Sequence, residues 1–353
     1  MNGAKFSTVI IGAGQAGLAA AYYLKKTGDD FILLDEGEHI GDSWRRRWDS
    51  LKLFTPSEHD GLPGLPFPAP KGTLPTKEEM ADYLSNYAEK FSLPVQLGTK
   101  VLELNKAPDS YEITTSKGKV YSDNVIVATG TNPKAFIPSF ATELDNEIVQ
   151  IHSSNYKNPQ QFMAPDTLVV GAGTSGVEIA IELSESRPTT IAGKATPHIP
   201  DFALRYGGIV YWWFIHHILT LQTPIGRKVG QKIKNSGAPL ISVSMEDVKK
   251  ANIEHLPRLK GASHGLPQLE DGRTLSVSSI VWATGYRPDF SWIKLDVSDQ
   301  SGRPQTKRGV SEKFVGLYFV GMLFQYGLTS GLVGGVGRDA AYVVNHIKKS
   351  KAP

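Results

Sequence analysis

The stretch Thr8-Val9-Ile10-Ile11-Gly12-Ala13-Gly14-Gln15-Ala16-Gly17 predicts a buried strand, a tight turn and the start of a helix. Gly12 allows the turn, Gly14 lets a pyrophosphate approach the backbone, and Gly17 lets the helix pack closely against the strand. The phosphates then lie against unpaired N–H groups at the positive end of the helix dipole. This pattern alone is a weak sign of a nucleotide site, so its meaning depends on the rest of the chain.

The residues after this turn complete a strand-helix-strand unit. We expect a helix over 18–26, and 31–35 is typical of a second buried strand that ends in an acid. Asp35 lies 18 positions after Gly17, close to the spacing at which an acidic side chain binds a ribose 2′-hydroxyl. Glu36 is the neighbouring candidate. The unit is therefore suited to an adenine dinucleotide whose ribose carries no 2′-phosphate.

The same pattern returns in the second half of the chain. Residues 167–170 lead into Gly171-Ala172-Gly173-Thr174-Ser175-Gly176, and a helix is predicted after them. Each glycine-rich turn is followed about 110 residues later by a strand that ends in Ala-Thr-Gly. These strand ends are Ala128-Thr129-Gly130 and Ala283-Thr284-Gly285. Two dinucleotide turns in one chain are far more specific than one.

The order of these units predicts an α/β fold with two Rossmann-like three-layer domains. A strand over 316–321 and a helix from about 332 to 348 close the chain, and we expect them to rejoin the first domain. The second domain is then inserted in the first. The predicted bounds are 1–160 for the first part, 161–288 for the inserted domain and 289–353 for the returning part.

The two turns differ at the position that contacts the adenosine ribose. Eighteen positions after Gly176 stands Lys194, where the first unit has Asp35. A carboxylate repels a 2′-phosphate, whereas an ammonium attracts it. The first site therefore favours FAD or NAD, and the second favours NADP. The alternative is that Lys194 is a solvated surface lysine, as most loop lysines are.

Composition excludes several classes of function. The net charge of +3 is small for 353 residues and gives no support for nucleic-acid binding. The chain has no cysteine, which excludes disulfides, thiolate metal sites and a Cys-x-x-Cys redox centre. We find no metal-ligand cluster. The longest apolar stretch is too short to span a bilayer, and no signal peptide is recognised, so we expect a cytoplasmic protein without a transmembrane segment.

An unusual aromatic run, Tyr211-Trp212-Trp213-Phe214-Ile215-His216-His217, lies in the inserted domain. It is typical of a core helix under a cap or in a subunit interface, which is the interpretation we favour. The alternative is the edge of a substrate channel or a helix on a membrane surface, helped by the basic residues Arg227, Lys228, Lys232 and Lys234.

Several motifs together resemble the flavin-containing monooxygenases, a branch of the flavoproteins with two dinucleotide-binding domains. Gly41-Asp42-Ser43-Trp44 resembles the flavin loop of that branch, and His152-Ser153-Ser154-Asn155-Tyr156 resembles the end of its linker signature. Ala283-Thr284-Gly285-Tyr286-Arg287-Pro288 and Val320-Gly321-Met322-Leu323-Phe324-Gln325 are similar to its later motifs. The disulfide-reductase branch requires a cysteine pair that this chain lacks. The resemblance is closest to the short, soluble bacterial members.

The resemblance implies FAD at the first turn and NADPH, with NADH as an alternative, at the second. The reaction then takes place on the flavin: a C4a-(hydro)peroxyflavin formed with O2 oxygenates a small-molecule nitrogen or sulfur nucleophile, or a ketone. No catalytic side chain is assigned, although Trp44 and Gln325 are candidates near the flavin. The implied cofactor-binding residues are Gly12, Gly14, Gln15, Ala16, Gly17, Asp35, Glu36, Ser43, Trp44, Val101, Ala128, Thr129, Gly130, Gln325, Gly171, Gly173, Thr174, Ser175, Gly176, Lys194, Ala283, Thr284 and Gly285.

Two further functions stay open at this point. One is an NAD(P)H-dependent flavin reductase or electron-transfer oxidoreductase that inserts no oxygen. The other is a redox sensor without catalysis, for which the sequence gives no argument. A homodimer is compatible with the resemblance, and the sequence does not identify the substrate.

Overall fold

The computed structural model describes residues 3–130, 134–163, 165–199, 208–236 and 239–351. Its first part forms, in order, β1 Ala4–Ile11, α1 Gln15–Thr27, β2 Phe31–Leu34, α2 Asp42–Arg45, α3 Lys77–Lys90, β3 Val95–Gln96, β4 Val101–Lys106, β5 Tyr111–Thr115, β6 Gly118–Val127 and β7 Lys134–Ala135. Helix α3 begins with a capping box, because the Thr76 hydroxyl accepts from the Glu79 N–H while the Glu79 carboxylate accepts from the Thr76 N–H.

The middle of the chain forms β8 Val149–His152, β9 Thr167–Val170, α4 Thr174–Ser184, β10 Thr189–Ala192, α5 Gly208–His217, α6 Pro224–Ser236, α7 Met245–Lys250, β11 Glu254–Leu256, β12 Leu259–Ser263, β13 Leu266–Leu269, β14 Ser279–Trp282 and β15 Tyr286–Arg287. The last part forms β16 Thr306–Lys307, β17 Val310–Ser311, β18 Leu317–Phe319 and α8 Val336–Lys351. Short 3-10 turns occur at Ser57–His59, Ser139–Glu143, Pro159–Gln161, Leu328–Gly331 and Val333–Gly335.

Two sheets organise these elements. The first has the order β16-β17-β18-β6-β1-β2-β3, and β5 and β4 extend it from β6. Its centre is parallel, from β18 through β6, β1 and β2 to β3. The second sheet, β11-β10-β9-β14-β8, is parallel throughout. Because the first sheet takes strands from both ends of the chain and the second from the middle, the predicted insertion is confirmed.

Side chains of β1 alternate between two buried layers. Ile10 packs into a cluster with residues of α1, α3 and α8 on one face of the first sheet. Val9 and Ile11 pack on the other face with residues of β5 and with Phe290 and Ile293. A strand buried on both faces is typical of a parallel sheet, which explains the continuous β-branched run.

Two predicted bounds need adjustment. Strand β8 pairs with β14 in the second sheet, so a boundary at residue 160 leaves one of its strands in the first domain. We therefore propose that the inserted domain begins ahead of Val149. The last helix was predicted from about residue 332, but α8 begins at Val336, because the glycines at 334 and 335 form a tighter turn against His59 and Thr329.

Candidate active site

The first glycine-rich turn has the geometry that a dinucleotide site requires. Gly12 has a φ of 105°, and a β-carbon there would lie 2.7 Å from the Ala128 carbonyl oxygen. A β-carbon at Gly17 would overlap the carbonyl oxygen of Gly12. At Gly14 a β-carbon would meet no described atom within 4 Å. Gly12 and Gly17 therefore serve the turn and the packing, while Gly14 leaves open space at the N-terminus of α1.

Asp35 lies at the end of β2 and is tied to the turn. One carboxylate oxygen accepts from the Ala13 N–H at 2.6 Å, and the other accepts from the Gly37 N–H at 2.8 Å. Each oxygen can accept a second hydrogen bond. The carboxylate is therefore held in place while lone pairs remain for hydroxyl donors, as the ribose of a bound dinucleotide would provide. Glu36 beside it is exposed and forms an ion pair with Lys100 at 3.3 Å.

The second turn reproduces the first. Gly171 has a φ of 115°, and a β-carbon there would overlap the Ala283 carbonyl oxygen. A β-carbon at Gly176 would overlap the Gly171 carbonyl oxygen, while one at Gly173 would meet none of the described atoms within 4 Å. The Ala283 carbonyl thus contacts Gly171 in the same way that the Ala128 carbonyl contacts Gly12. Each Ala-Thr-Gly strand end packs against one of the two turns. This contact explains why the two motifs occur together in each half of the chain.

One large cavity, with a volume of about 1640 Å³, begins at the first turn. It exceeds the roughly 300–1,000 Å³ of ordinary ligand pockets, so it has room for a dinucleotide and a further small molecule. Among its lining residues are twelve of the predicted site residues, Gly12, Gly14, Gln15, Ala16, Asp35, Glu36, Ser43, Trp44, Val101, Ala128, Thr129 and Gly130. The structure therefore brings most of the first predicted site together.

A second wall of the cavity comes from helices α5 and α6, which we had not included among the site residues. Tyr211, Trp212, Phe214 and Ile215 of α5 line it, as do Val229, Lys232 and Ile233 of α6. The Trp212 ring stacks on the His59 ring with centroids 4.4 Å apart. The signal in the sequence is the aromatic run itself, for which the edge of a substrate channel is the alternative interpretation.

Helix α5 is not a core helix throughout. Trp212 and Ile215 are buried, but Val210 is 73% exposed and Trp213 is 55% exposed. One face of the helix therefore covers the cavity and the other meets solvent. The interpretation as a core helix holds for the buried side only, and the alternative, the edge of a substrate channel, agrees with the residues that line the cavity.

Trp48 and Gln325 are not among the residues that line the cavity. Trp48 is buried among Tyr156, Phe162 and Val169 in the core of the second domain, so it is a packing residue. Gln325 is also buried, and its Oε1 accepts from the Met322 N–H at 3.2 Å. Gln325 does not line the cavity, and its contacts hold its own loop. Its Nε2 is buried and has no partner among the described residues, so a flavin contact by Gln325 stays a prediction.

The residues of the second turn lie apart from the large cavity. None of the predicted residues Gly171, Gly173, Thr174, Ser175, Gly176, Lys194, Ala283, Thr284 and Gly285 is among those lining the large cavity in the described chain. Lys194 is exposed and follows β10 directly after Gly193. It thus lies at the carboxyl end of the strand next to β9, the place where a ribose phosphate would be met.

The start of the last helix, α8, and the turns before it form part of the cavity wall. The side chains of Leu328, Leu332 and Val336 line the cavity, and α8 begins at Val336. The positive end of this helix dipole therefore faces the cavity, which favours negative charge there. His216 lies near it, and its Nδ1 is 3.1 Å from the Thr329 hydroxyl. Burial, with Arg338 and His217 adding to it, lowers the pKa of His216 to about 4, so the ring is neutral at pH 7.

Burial raises the pKa of several carboxyl groups, among them Asp60, Glu178 and Asp339. Asp60 is fully buried, and burial raises its pKa to about 7. It accepts a hydrogen bond from Thr55, and its Oδ2 has no partner among the residues described. Burial also raises the pKa of Glu178 to about 7, and the Ser242 hydroxyl donates to it at 3.2 Å.

The described residues hold neither a metal-binding cluster nor a membrane-spanning helix. The described side chains contain no group of three or more His, Cys, Asp or Glu that could hold a metal ion. Of the helices that the structure describes, none is both long and apolar enough to cross a bilayer.

Comparison with known proteins gives consistent results. Residues 9–197 match the pyridine nucleotide-disulphide oxidoreductase family. An uncharacterized CzcO-like oxidoreductase of Geobacillus kaustophilus is 39% identical over 342 residues, covering 96% of this chain and 97% of the relative. The probable indole-3-pyruvate monooxygenase YUCCA9 of Arabidopsis thaliana is 29% identical over 332 residues, covering 81% of this chain and 76% of the relative.

Among solved structures, the flavin-containing monooxygenase of Stenotrophomonas maltophilia superposes with a TM-score of 0.83 at 25% identity, covering 99% of this chain and all of that one. Flavin and nicotinamide cofactors are thus implied by the relatives. The duplicated turns and the cavity agree with that, while the missing cysteines separate this chain from the disulfide chemistry in the family name. The chain belongs to the pyridine nucleotide-disulphide oxidoreductase family and is an oxidoreductase of the flavin-containing monooxygenase type.

Proposed function

We propose that the protein is a monooxygenase that binds FAD at the first turn and NADPH at the second. One atom of O2 enters a small molecule at a nitrogen, a sulfur or a ketone carbonyl, the other leaves as water, and NADPH supplies the two electrons. The observation that carries this proposal is the cavity of about 1640 Å³, which begins at the open side of Gly14. Its size and lining fit a dinucleotide with space beside it.

The fit to FAD rests on three features of the first domain. The open space at Gly14 and the N-terminus of α1 suit the pyrophosphate. The anchored carboxylate of Asp35 has lone pairs for the ribose. Trp44, Thr129 and the start of α8 lie along the same cavity, so they would meet the rest of the cofactor. FAD would supply the electron transfer and the activation of O2 that no side chain can provide.

The choice of NADPH over NADH rests on Lys194. It is exposed at the carboxyl end of β10, in the position that corresponds to Asp35 in the first domain. An ammonium there attracts a 2′-phosphate, and it offers little to an unphosphorylated ribose. The open space at Gly173 would receive the pyrophosphate of this second dinucleotide.

The remaining task of the chain is to position the substrate and to exclude water. The aromatic wall formed by Tyr211, Trp212 and Phe214 gives one side of the cavity an apolar surface. His216 at the end of this wall is held neutral, because burial lowers its pKa to about 4. An apolar or aromatic small molecule is therefore better suited to this wall than a highly charged one.

The test follows the oxygen atoms. The purified flavoprotein is incubated with NADPH and ¹⁸O2, using thioanisole, trimethylamine and cyclohexanone as probes for sulfur, nitrogen and carbonyl centres. Mass spectrometry should find one ¹⁸O atom in the product of at least one probe. Two results together would instead identify a flavin reductase. All of the ¹⁸O label would appear in hydrogen peroxide or water, and quinones would accelerate NADPH oxidation when O2 is absent.

A further inference from the structure

Two neighbouring strands of the inserted sheet end side by side, and a basic residue follows each of them. Lys194 follows β10, and Arg258 follows β11. We propose that Arg258 is a second recognition residue for the 2′-phosphate of NADPH, which it holds together with Lys194. This inference rests on the proposed function, because it requires NADPH to bind at the second turn.

The strand register places the two residues at the same edge of the sheet. Ala192 lies opposite Leu256, and the two strands run in parallel. Beyond this pair, the Gly193 N–H still donates to the Leu256 carbonyl at 3.1 Å. Lys194 and Arg258 each stand two residues beyond the pair. Adjacent strands lie about 4.8 Å apart, so the long side chains of both residues can reach one bound phosphate.

The first domain shows where the segment after the corresponding strand lies. There β3 pairs with β2 in parallel, with Gln96 opposite Leu34, and the Asp35 N–H donates to the Gln96 carbonyl at 3.1 Å. The residues that follow β3 line the large cavity together with Asp35, namely Thr99, Lys100 and Val101. Because the inserted domain repeats this arrangement, we expect the residues after β11 to border the adenosine ribose of the second dinucleotide.

Strand pairing refines the match between the two domains. Counted from the third glycine of each turn, Lys194 corresponds to Asp35. By hydrogen bonding the counterpart is Gly193, whose N–H bonds to β11 as the Asp35 N–H bonds to β3. The second site therefore has no carboxylate where Asp35 would repel a 2′-phosphate. The segments 193–199 and 257–263 also contain no Asp or Glu.

The charges of Lys194 and Arg258 are available to a ligand. Both side chains are exposed, and neither forms an ion pair with a carboxylate within the described residues. The Glu270 N–H donates to the Arg258 carbonyl at 2.8 Å, which fixes the backbone at the end of the strand. Two cations on neighbouring strands repel each other, and a phosphate between them offsets that repulsion. A guanidinium binds phosphate oxygens bidentately, whereas an ammonium acts as a point charge.

His255 of β11 fixes the start of the segment that carries Lys194. Its Nε2 lies 2.7 Å from the Gly193 carbonyl oxygen, and since a carbonyl only accepts, the ring donates from this nitrogen. Gly193 has a φ of 144°, and a β-carbon there would lie 3.1 Å from the Ala172 nitrogen. The segment after β10 is thus held between the second turn and β11, so Lys194 leaves the sheet at a fixed place beside Arg258.

The experiment measures the binding of two adenosine fragments to the oxidised flavoprotein by isothermal titration calorimetry. The fragment 2′,5′-ADP carries the 2′-phosphate and 5′-AMP lacks it, so the ratio of their Kd values isolates the recognition of that group. Arg258→Gln should weaken the binding of 2′,5′-ADP by about tenfold and leave the binding of 5′-AMP unchanged. Arg258→Lys should restore part of the lost affinity, because it keeps the charge without the bidentate geometry.

Arg273→Gln is the matched control, since Arg273 is another exposed arginine of the inserted domain and pairs with Asp271 at 2.8 Å. It should leave both Kd values unchanged. A ratio that Arg258→Gln does not alter would overturn the role of Arg258 and leave the proposed NADPH site in place. Equal weakening of both fragments would also overturn it, because the arginine would then only support the fold. A wild type that binds both fragments equally would overturn the choice of NADPH itself, and this inference with it.

Discussion

At the scale of single residues, the two glycine-rich turns divide three tasks among three glycines. The first glycine of each turn adopts a positive φ against an Ala-Thr-Gly strand end, and the third packs against the first. Only the second glycine, Gly14 or Gly173, borders open space in the described structure. Substitutions at these positions should therefore separate folding from cofactor binding.

Gly14→Ala should fold and fail to hold FAD. Its β-carbon has space in the protein, but it would occupy the approach of the pyrophosphate, so we expect at least about tenfold weaker FAD binding. Gly17→Ala is the matched control, because its β-carbon overlaps the Gly12 carbonyl and should lower stability by several kcal/mol. The readouts are flavin content after dialysis and thermal unfolding. Normal FAD content in Gly14→Ala would remove the first turn from the proposed site.

Lys194→Ala should lower the preference for NADPH over NADH by about tenfold, through the loss of a charge-assisted contact to the 2′-phosphate. The preference is measured as the ratio of kcat/KM values for flavin reduction by the two nucleotides. Lys260→Ala, at another exposed lysine of the inserted domain, is the control and should leave the ratio unchanged. An unchanged ratio in Lys194→Ala would mean that this lysine is only solvated.

The residue patterns predicted the two turns well, because the first and third glycine of each turn have no space for a β-carbon. The spacing of these glycines in the sequence follows from that local constraint. A motif does not reveal which way a side chain points. Gln325 turns back to the Met322 N–H. Trp48 similarly packs in the inserted domain although it follows the flavin-loop motif closely.

At the scale of elements, the segment between α2 and α3 is held by buried hydroxyl groups. The Tyr83 hydroxyl accepts from the Leu62 N–H at 2.6 Å and donates to the Leu65 carbonyl at 2.7 Å. Tyr87 donates to the Pro63 carbonyl at 2.6 Å. Burial raises the pKa of Tyr83 to about 12, so its hydroxyl stays neutral and able to donate. Within this segment Asp60 is fully buried, which makes the segment sensitive to pH.

Asp60 should make the protein less stable as the pH rises. Burial raises its folded-state pKa to about 7, whereas an unfolded Asp titrates near 3.9. Between these values the folded state binds a proton that the unfolded chain does not, so the free energy of unfolding falls with rising pH. Asp60→Asn replaces this group by an amide that does not titrate. The stability of the variant relative to wild type should therefore increase by about 2 kcal/mol from about pH 5 to about pH 8.

Urea unfolding at the two pH values measures this difference. Asp109 is an exposed carboxylate, and Asp109→Asn is the control. It should change the free energy of unfolding by the same small amount at both pH values. The raised pKa of Glu178 contributes to the pH dependence of every variant and cancels in the comparison. A difference between Asp60→Asn and wild type that does not change with pH would refute the assignment.

Helix α3 begins at a Thr76 capping box, a pattern that is visible in the sequence. The buried side of α5 could not be predicted from the sequence. An apolar residue at nearly every position gives no preferred face, so the sequence cannot indicate which side of the helix is buried. Only the tertiary structure separates the wall formed by Trp212 and Ile215 from the exposed Val210 and Trp213.

At the scale of the whole molecule, the first sheet is assembled from two distant parts of the chain. Strand β18 pairs with β6 in parallel, with Leu317 opposite Val125. The strands β7 and β15, which pair with each other, carry the chain into and out of the inserted domain. The cavity is lined by residues from both parts and from the insertion, so a cofactor there contacts segments that are far apart in sequence.

Removal of FAD should therefore lower the stability of the whole first domain. A ligand that binds only the folded state contributes about 2.7 kcal/mol at a concentration 100 times its Kd. We expect the Tm of the apoprotein to lie about 5 °C below that of the flavoprotein, and to recover when FAD is added back. Differential scanning calorimetry of both forms provides the measurement. Identical Tm values would argue against a cofactor held across these segments.

The pairing of β18 with β6 also sets an order of events during synthesis. A ribosome completes the inserted sheet, β8 to β14, before it has made β18. The inserted domain can therefore close first, while the last residues of β6, 125–127, keep one edge unpaired until β18 emerges. An exposed strand edge of this kind favours aggregation. The first domain thus depends on late events in translation, and truncation ahead of Leu317 should yield a chain with a folded insertion and an open first sheet.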